Sequence, residues 1–270
     1  MRVGALAFAL GGATGLGGCA TVNTQQEVAL GADYARQINR QLPILNDGPT
    51  NAFVNNLGDR IAANADQRGI NYTFYVVNSD VVNAFAVPGG FVYINRGLIE
   101  RTDNLSELAG VLAHEIGHVA ERHSVEQMQR AQNANTLLSV VYGVLLRRNP
   151  STVERVGIQA GGGAVFAGYS RDAEREADRV GVNYLVRTGI NPNGMATFFE
   201  ELLAEQKRNP SRVESWFATH PTSQERVNNT RATIQATPGA NNASLVTDSR
   251  DFQTFRARVR SLTPAPQDRR

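Results

Sequence analysis

The chain has 270 residues, of which 41% are hydrophobic and 19% charged, and its net charge is +2 at pH 7. This length and hydrophobic content permit one substantial globular domain, and the small net charge gives no support for a nucleic-acid partner. One cysteine and four histidines exclude an intramolecular disulfide and a cysteine-based metal site, and leave histidine and carboxylate as the ligands available to a metal.

The N-terminus has the pattern of an export signal. One arginine precedes an apolar run from Val3 to Leu10, and Leu16-Gly17-Gly18-Cys19 follows. The run is too short to cross a bilayer, so it predicts a removable signal over residues 1–18. It resembles a bacterial lipoprotein signal with Cys19 as the lipidated residue; the alternative is an ordinary secretory peptide in which Cys19 is incidental. Ala20, in the place of an aspartate, favours by resemblance an outer-membrane anchor, with the domain in the periplasm of a Gram-negative bacterium.

Helical periodicity over 25–41 and 50–65 gives way to alternating β-type patterns. The predicted strands are 72–77, 81–87 and 91–94. Pro88-Gly89-Gly90 is typical of a tight turn, so we predict a small antiparallel sheet just before the next helix. An extended peptide can add to an edge strand through backbone hydrogen bonds, and Phe91, Val92 and Tyr93 are the candidates for such contacts. The alternative is that these strands only cover the helix.

The next helix, predicted over 103–122, contains His114-Glu115-Ile116-Gly117-His118. At about 100° per residue, the two imidazoles lie about 40° apart on one face of the helix, which is suitable for chelating one metal ion. Glu115 points about 100° from His114, where it can reach a water on that metal but cannot complete the chelate. A chance match on a surface helix is disfavoured by the apolar residues at helical spacing around the motif.

This motif predicts hydrolysis. A bound zinc ion acidifies a water molecule, and a neighbouring carboxylate such as Glu115 can take the proton and direct attack on a peptide carbonyl. His123 lies about 180° from His114 on a continuous helix, so we predict that it faces elsewhere and is a helix-end or hydrogen-bonding residue. Two further helices, 125–146 and 152–167, follow; the first includes the apolar stretch 137–146, which is too short to span a membrane.

A third zinc ligand must be sought elsewhere in the chain. Ser170 is a good N-cap for a helix over 170–187, on which Glu174 and Asp178 share one face at spacing i, i+4. By itself this pattern is more typical of a solvated face with salt bridges to the neighbouring arginines. Gly189 ends the helix, and helices over 193–206 and 224–235 follow.

Together, these segments resemble a known family. His-Glu-x-x-His followed by Ser170-Arg171 and Glu174-x-x-x-Asp178 is similar to the gluzincins that include HtpX-type membrane proteases, CAAX prenyl proteases and the periplasmic BepA- and LoiP-type proteases. The resemblance includes Asn83 to Val92 upstream and Thr219-His220-Pro221 downstream, and covers about 25–231. It implies Glu174 as the third ligand of one Zn²⁺ per chain, and Asp178 as an acid that hydrogen-bonds a ligand or donates a proton.

His220 lies in an apolar segment that ends at Pro221. One interpretation is a buried, hydrogen-bonded histidine. The other is that His220 faces the metal cleft, where it would stabilise the oxyanion or occupy the open zinc position as a removable fourth ligand. The three C-terminal arginines Arg256, Arg258 and Arg260 are interpreted as a solvated helix face.

The sequence thus predicts an α+β, mainly helical, zincin-like protease with a small sheet beside the motif helix. Its predicted parts are the signal 1–18, a lipidated linker 19–24, the metallopeptidase domain 25–260 and a flexible tail 261–270. The resemblance implies an endopeptidase that degrades unfolded or misassembled envelope proteins. The alternative is a non-enzymatic assembly factor, stabilised by zinc, that binds outer-membrane protein precursors; the intact Glu115 favours the enzyme.

Overall fold

The computed structural model describes residues 22–131 and 168–263. In these ranges the chain is mainly helical with one small sheet, which confirms the predicted fold class. The predicted signal with Cys19, the helix over 152–167 and the apolar stretch 137–146 lie outside the described residues. No helix in the described ranges is long and apolar enough to cross a bilayer.

The first two helices are defined by their caps. α1 (Thr24–Gln41) begins with a capping box, in which the Asn23 side chain accepts from Gln26 and the Gln26 side chain accepts from the backbone of Asn23. α2 (Gly48–Ala62) is capped by Asp47 and has a proline in its first turn. Each cap satisfies backbone N–H groups that have no partner inside the helix, so the local sequence determines where both helices start.

The sheet consists of β1 (Thr73–Val77), β2 (Ala84–Val87) and β3 (Phe91–Asn95), in the order β1-β3-β2. β2 and β3 form the predicted antiparallel hairpin, in which Gly89 and Gly90 have φ of 78° and 92°. The prediction of an entirely antiparallel sheet is wrong, because β1 pairs with β3 in parallel. The chain between β1 and β2 makes no hairpin, so β2 lies on the far side of β3 and the sheet is mixed.

Both faces of this sheet are covered. On one side, Tyr34 and Ile38 of α1 pack on Phe85, Val87 and Tyr93 in a small apolar cluster. The other side faces the main core, which is built around the motif helix. A Cβ at Gly89 would lie 2.7 Å from Cα of Val28, so the hairpin turn fits directly against α1.

After the short α3 (Arg96–Ile99), the motif helix α4 (Leu105–Ala120) begins at Asn104, whose side chain accepts from the backbone N–H of Glu107. All of its residues except Ala120 are buried, which agrees with the predicted apolar spacing. Arg122, which has φ of 61°, lies between the end of α4 and the start of α5 (His123–Ala131), and the chain changes direction there. A left-handed residue of this kind is uncommon outside glycine and changes the path of the chain.

The C-terminal half surrounds α4 with helices. α6 (Arg171–Thr188) is capped by Ser170 and ends at Gly189, which has φ of 79°, as predicted. It is followed by α7 (Asn193–Arg208), α8 (Pro210–Thr219), α9 (Gln224–Ala236) and α10 (Arg250–Ser261). Close contact between α4 and α6 requires a small residue at Gly117, where a Cβ would lie 3.1 Å from the Ala177 carbonyl oxygen. This contact brings the acidic face of α6 to the histidines of α4.

The arginines of α10 do more than face solvent. Arg256 pairs with Asp103 at 2.6 Å, and Arg258 pairs with Asp47, also at 2.6 Å. These contacts connect α10 to the start of α2 and to the segment before α4. Each pair has one solvent-exposed partner, and surface pairs contribute at most about 1 kcal/mol each, so the buried Phe252 and Val259 are the main anchors of this helix.

Candidate metal centre

His114 and His118 lie one turn apart on α4, and both side chains are completely buried. Their Nε2 atoms are 3.0 Å apart, as expected for two imidazoles that point to one centre. Glu174 reaches the same centre from α6, with Oε1 3.3 Å from His118 Nε2 and Oε2 3.6 Å from His114 Nε2. The helix spacing supplies the first two groups, and the contact between α4 and α6 supplies the third.

His220 completes the cluster from the end of α8. Its Nδ1 lies 3.2 Å from His114 Nε2 and 3.1 Å from Glu174 Oε1, whereas its Nε2 lies 3.3 Å from the Ala84 carbonyl oxygen of β2. One ligand atom from each of the four residues lies within 4.8 Å of every other. Of the two interpretations of His220, this arrangement favours the one in which its side chain faces the metal cleft.

The donor set fits a zinc ion. Lone pairs of two imidazole Nε2 atoms and one carboxylate converge in a water-excluded space, where they repel each other unless a cation or proton lies between them. Two histidines and one glutamate are the ligands of one class of catalytic zinc site, and His220 stands where a fourth ligand can bind. His114, His118 and Glu174 are therefore the residues that would hold the ion.

Burial and neighbouring charges shift the pKa values of the side chains in the cluster. Burial lowers the pKa of His118 well below its ordinary value, which keeps this imidazole neutral. Burial raises the pKa of Glu174, but the Arg226 charge and the neighbouring imidazoles outweigh it and hold the pKa well below the usual range. A neutral imidazole and an ionised carboxylate are the protonation states that bind metals.

Glu115 lies beside the cluster with both carboxylate oxygens buried. Neither oxygen accepts a hydrogen bond from the described part of the chain, and the nearest histidine atom, His220 Nε2, is 3.4 Å from Oε1. Burial raises its pKa. A buried carboxylate without hydrogen bonds is costly, so this position suits a group that exchanges a proton with a bound water.

Asp178 contacts the outer side of a predicted ligand. Its Oδ1 lies 2.9 Å from His114 Nδ1, the nitrogen that points away from the cluster. A carboxylate in this position fixes the tautomer and the ring plane of a metal-binding histidine. The structure therefore places Asp178 where it acts on His114, and the solvated salt-bridged face is excluded for this pair of acids, because Glu174 and Asp178 are both buried.

Arg226 of α9 is the main site residue that the sequence analysis missed. Its guanidinium donates a bidentate pair of hydrogen bonds to Asp178, with Nε 2.6 Å from Oδ2 and Nη2 2.8 Å from Oδ1. It also forms an ion pair with Glu174. It lies over the ring of Phe199, 4.4 Å from the centroid. In sequence it is an arginine in the first turn of an ordinary helix, and only its position six residues after His220 connects it to the site.

His123 and Tyr169 surround His118. Tyr169 stacks on the His118 ring at 3.7 Å between centroids, and its hydroxyl shares a hydrogen bond of 2.7 Å with Ser124. His123 is buried with its Nδ1 2.9 Å from His118 Nδ1. The prediction that His123 faces elsewhere is wrong, because the left-handed Arg122 follows α4 and the angle on a continuous helix does not apply. Its prediction as a helix-end or hydrogen-bonding residue agrees with these contacts.

The prediction that Phe91, Val92 and Tyr93 belong to an edge strand that contacts substrate is wrong. Phe91, Val92 and Tyr93 belong to β3, which pairs with β1 on one side and β2 on the other, so this strand has no edge to offer. Among the described strands, β2 is the edge that packs on α4 and carries the Ala84 carbonyl beside His220. The two-sided pairing follows from the parallel β1 that the sequence did not reveal.

Comparison with known proteins places this site in context. Residues 49–234 match the sequence profile of Peptidase family M48. The chain is 36% identical over 217 residues to the "Beta-barrel assembly-enhancing protease" of Yersinia pestis, an alignment that covers 78% of this chain and 44% of that protein. It is 33% identical over 245 residues to the protein of the same name in Escherichia coli K12, an alignment that covers 88% of this chain and 49% of that protein.

A shorter relative matches along almost its whole length. "Metalloprotease LoiP" of Escherichia coli K12 is 29% identical over 259 residues, which covers 87% of this chain and 98% of that protein. In contrast, the chain spans about half the length of the beta-barrel assembly-enhancing proteases that it matches, at 44% and 49%.

Proposed function

Because the chain belongs to peptidase family M48 and is thus a metallopeptidase, we propose that it is a zinc endopeptidase that cleaves unfolded or misassembled proteins of the bacterial envelope. The observation that carries this proposal is the buried Glu115 carboxylate beside His114, His118 and Glu174, which accepts no hydrogen bond from the described residues. A site built only for stability would not need a second buried carboxylate without hydrogen bonds next to its ligands.

Each residue has a defined part in the proposed reaction. When bound, zinc would act as a Lewis acid that polarises the peptide carbonyl and acidifies water. Glu115 takes a proton from the attacking water and returns it to the leaving amine, because neither of its oxygens accepts a hydrogen bond from the described residues. Asp178 orients His114 through Nδ1, and Arg226 balances the charges of Asp178 and Glu174. Tyr169 and the buried helices exclude bulk water.

Substrate contacts are proposed at β2. This strand is at the edge of the described sheet and contacts α4, and an extended segment could pair there by backbone hydrogen bonds, which select for an unfolded chain more than for a sequence. The names of the similar proteins, which refer to β-barrel assembly, support substrates among envelope proteins. We place the protein in the periplasm, anchored to the outer membrane through lipidated Cys19, on the sequence of its N-terminal 20 residues.

The first test is removal and return of the metal. The full chain is stripped with a chelator and mixed with an unfolded protein, and cleavage is followed by gel and mass spectrometry before and after one equivalent of Zn²⁺ is added. We expect no cleavage by the stripped protein, cleavage after zinc is added, and none of the same substrate in a folded, disulfide-locked form. Zinc binding with capture of the unfolded protein but without cleavage would instead support the assembly factor.

His220 is proposed to act as a removable fourth ligand. Its Nδ1 faces the other three residues and its Nε2 faces the Ala84 carbonyl oxygen, so the tautomer with its proton on Nε2 would suit metal binding. We expect His220→Ala to increase the rate of peptide cleavage and to weaken zinc binding. A fall in cleavage rate of about 10²–10³-fold with zinc retained would assign the oxyanion role instead. No change in either quantity would exclude both roles.

A further inference from the structure

The outer nitrogen of His118 has a partner different from that of His114. His118 Nε2 faces His114 Nε2 at 3.0 Å and Glu174 Oε1 at 3.3 Å, so this atom points into the cluster. Its Nδ1 points away and lies 2.9 Å from His123 Nδ1. His114, in contrast, contacts the Asp178 carboxylate directly at 2.9 Å. The second ligand of α4 is therefore held through another imidazole.

Only one arrangement of protons satisfies these contacts when a metal is bound. The lone pair of His118 Nε2 must face the ion, so the proton of this neutral ring is on Nδ1 and is donated to His123 Nδ1. His123 then carries its own proton on Nε2, which lies 3.3 Å from Glu176 Oε2. The chain of donors ends at a carboxylate, which is half-exposed and also contacts Arg179 at 3.4 Å.

The position of His123 depends on the bend after α4. Arg122 has φ of 61°, and its Nε donates to the buried Glu27 carboxylate of α1 at 2.8 Å. This contact holds the left-handed turn that brings the following residue back to the His118 ring. Tyr169 stacks on the face of the His118 ring, with 3.7 Å between centroids. The edge of the His118 ring that carries Nδ1 is directed at His123.

We propose that His123 and Glu176 are positioning residues for the metal ligand His118: His123 Nδ1 accepts a hydrogen bond from the Nδ1–H of His118, and His123 Nε2–H donates one to Glu176. The inference rests on the proposed metal site, not on the proposed peptidase activity. Outer partners of this kind fix the tautomer of a ligand and raise its basicity, and their loss weakens metal binding by about 10–100-fold.

The test measures zinc affinity by competition with a chromogenic chelator, in full-length protein that carries Glu115→Gln to prevent self-cleavage. We expect His123→Phe, which keeps a flat ring but has no acceptor, to raise the zinc dissociation constant about 10–100-fold. His123→Asn keeps an acceptor near the position of Nδ1, and we expect it to restore most of the affinity. Equal loss in both variants would overturn the proposal, since it would indicate a role in packing alone.

Glu176 gives a second measurement that does not depend on a buried substitution. Glu176→Ala is expected to weaken zinc binding by up to about 10-fold. Asp172→Ala is the matched control, because it removes the same charge from the same helix but its carboxylate pairs with Arg175. In the His123→Phe background, Glu176→Ala should cause no further loss, since the connection to His118 is already broken. Additive losses would overturn the relay.

Nitrogen NMR of the zinc-loaded protein reports the proton directly. We expect a slowly exchanging Nδ1–H resonance of His118 in the Glu115→Gln protein and in His123→Asn, and its loss or rapid exchange in His123→Phe. These readouts need no catalysis. If zinc affinity depends on His123 but the parent chain cleaves no substrate, this inference stands and the proposed peptidase activity is rejected. If the parent chain cleaves substrate but His123→Phe binds zinc with unchanged affinity, the peptidase activity stands and this inference is rejected.

Discussion

Glu115→Gln is expected to lower the rate of peptide cleavage by about 10²–10⁴-fold while zinc stays bound. Glutamine has nearly the same shape as glutamate but cannot take a proton from water. The His114 and His118 side chains are held by their own contacts with Asp178 and His123, so the ligand set should not change. The measurement is kcat/KM on an unfolded protein, together with zinc content per chain.

The matched control is Glu121→Gln, the same substitution on an exposed residue that caps the same helix. It should leave both kcat/KM and zinc content close to those of the parent protein. Thermal unfolding of both variants shows whether the fold is retained. If Glu115→Gln cleaved as fast as the parent with equal zinc, Glu115 would not be the base and the proposed reaction would need another residue.

Replacement of Arg226 by leucine is expected to produce the largest loss of stability in the site, about 3–5 kcal/mol in the metal-free protein. The Arg226 side chain is buried and forms ion pairs with Asp178 and Glu174, both of which are also buried. Its removal would leave two carboxylates in a water-excluded space with only imidazoles as partners. The free energy of unfolding is measured by urea titration of the protein after a chelator has removed its metal.

Arg231→Leu is the control for this change, since Arg231 lies on the same helix and forms an exposed pair with Glu200. A pair of that type contributes at most about 1 kcal/mol. Added zinc should recover part of the stability lost in Arg226→Leu, because a ligand that binds only the folded state stabilises it by mass action. A loss no larger than that of Arg231→Leu would show that Asp178 and Glu174 do not depend on this guanidinium.

Elements with local signals were well predicted from the sequence. Ser170 and Gly189 marked both ends of α6, and Pro88-Gly89-Gly90 marked the hairpin between β2 and β3. Parallel pairing left no such signal. β1 and β3 are joined by residues that contain another strand, and nothing in the alternation of either strand states which neighbour it will have.

The acids of α6 show the limit of a periodic pattern. The spacing of Glu174 and Asp178 fixed only that they share a face, and it favoured a solvated face until the resemblance to known proteases favoured a metal site. In the structure that face is buried against α4, and the arginine that balances the two acids comes from α9, 48 residues after Asp178. Charge balance in a buried site is thus distributed over helices that are distant in sequence.

The sequence by itself determined the relative positions of His114, Glu115 and His118, because one α-helix with fixed periodicity holds all three. Only the tertiary structure decided which groups complete them. The left-handed Arg122 turned His123 back to His118, the contact at Gly117 brought Glu174 and Asp178 to the histidines, and the end of α8 delivered His220. The positions of these residues depend on chain reversals and on close packing between helices, and neither produces a periodic pattern in the sequence.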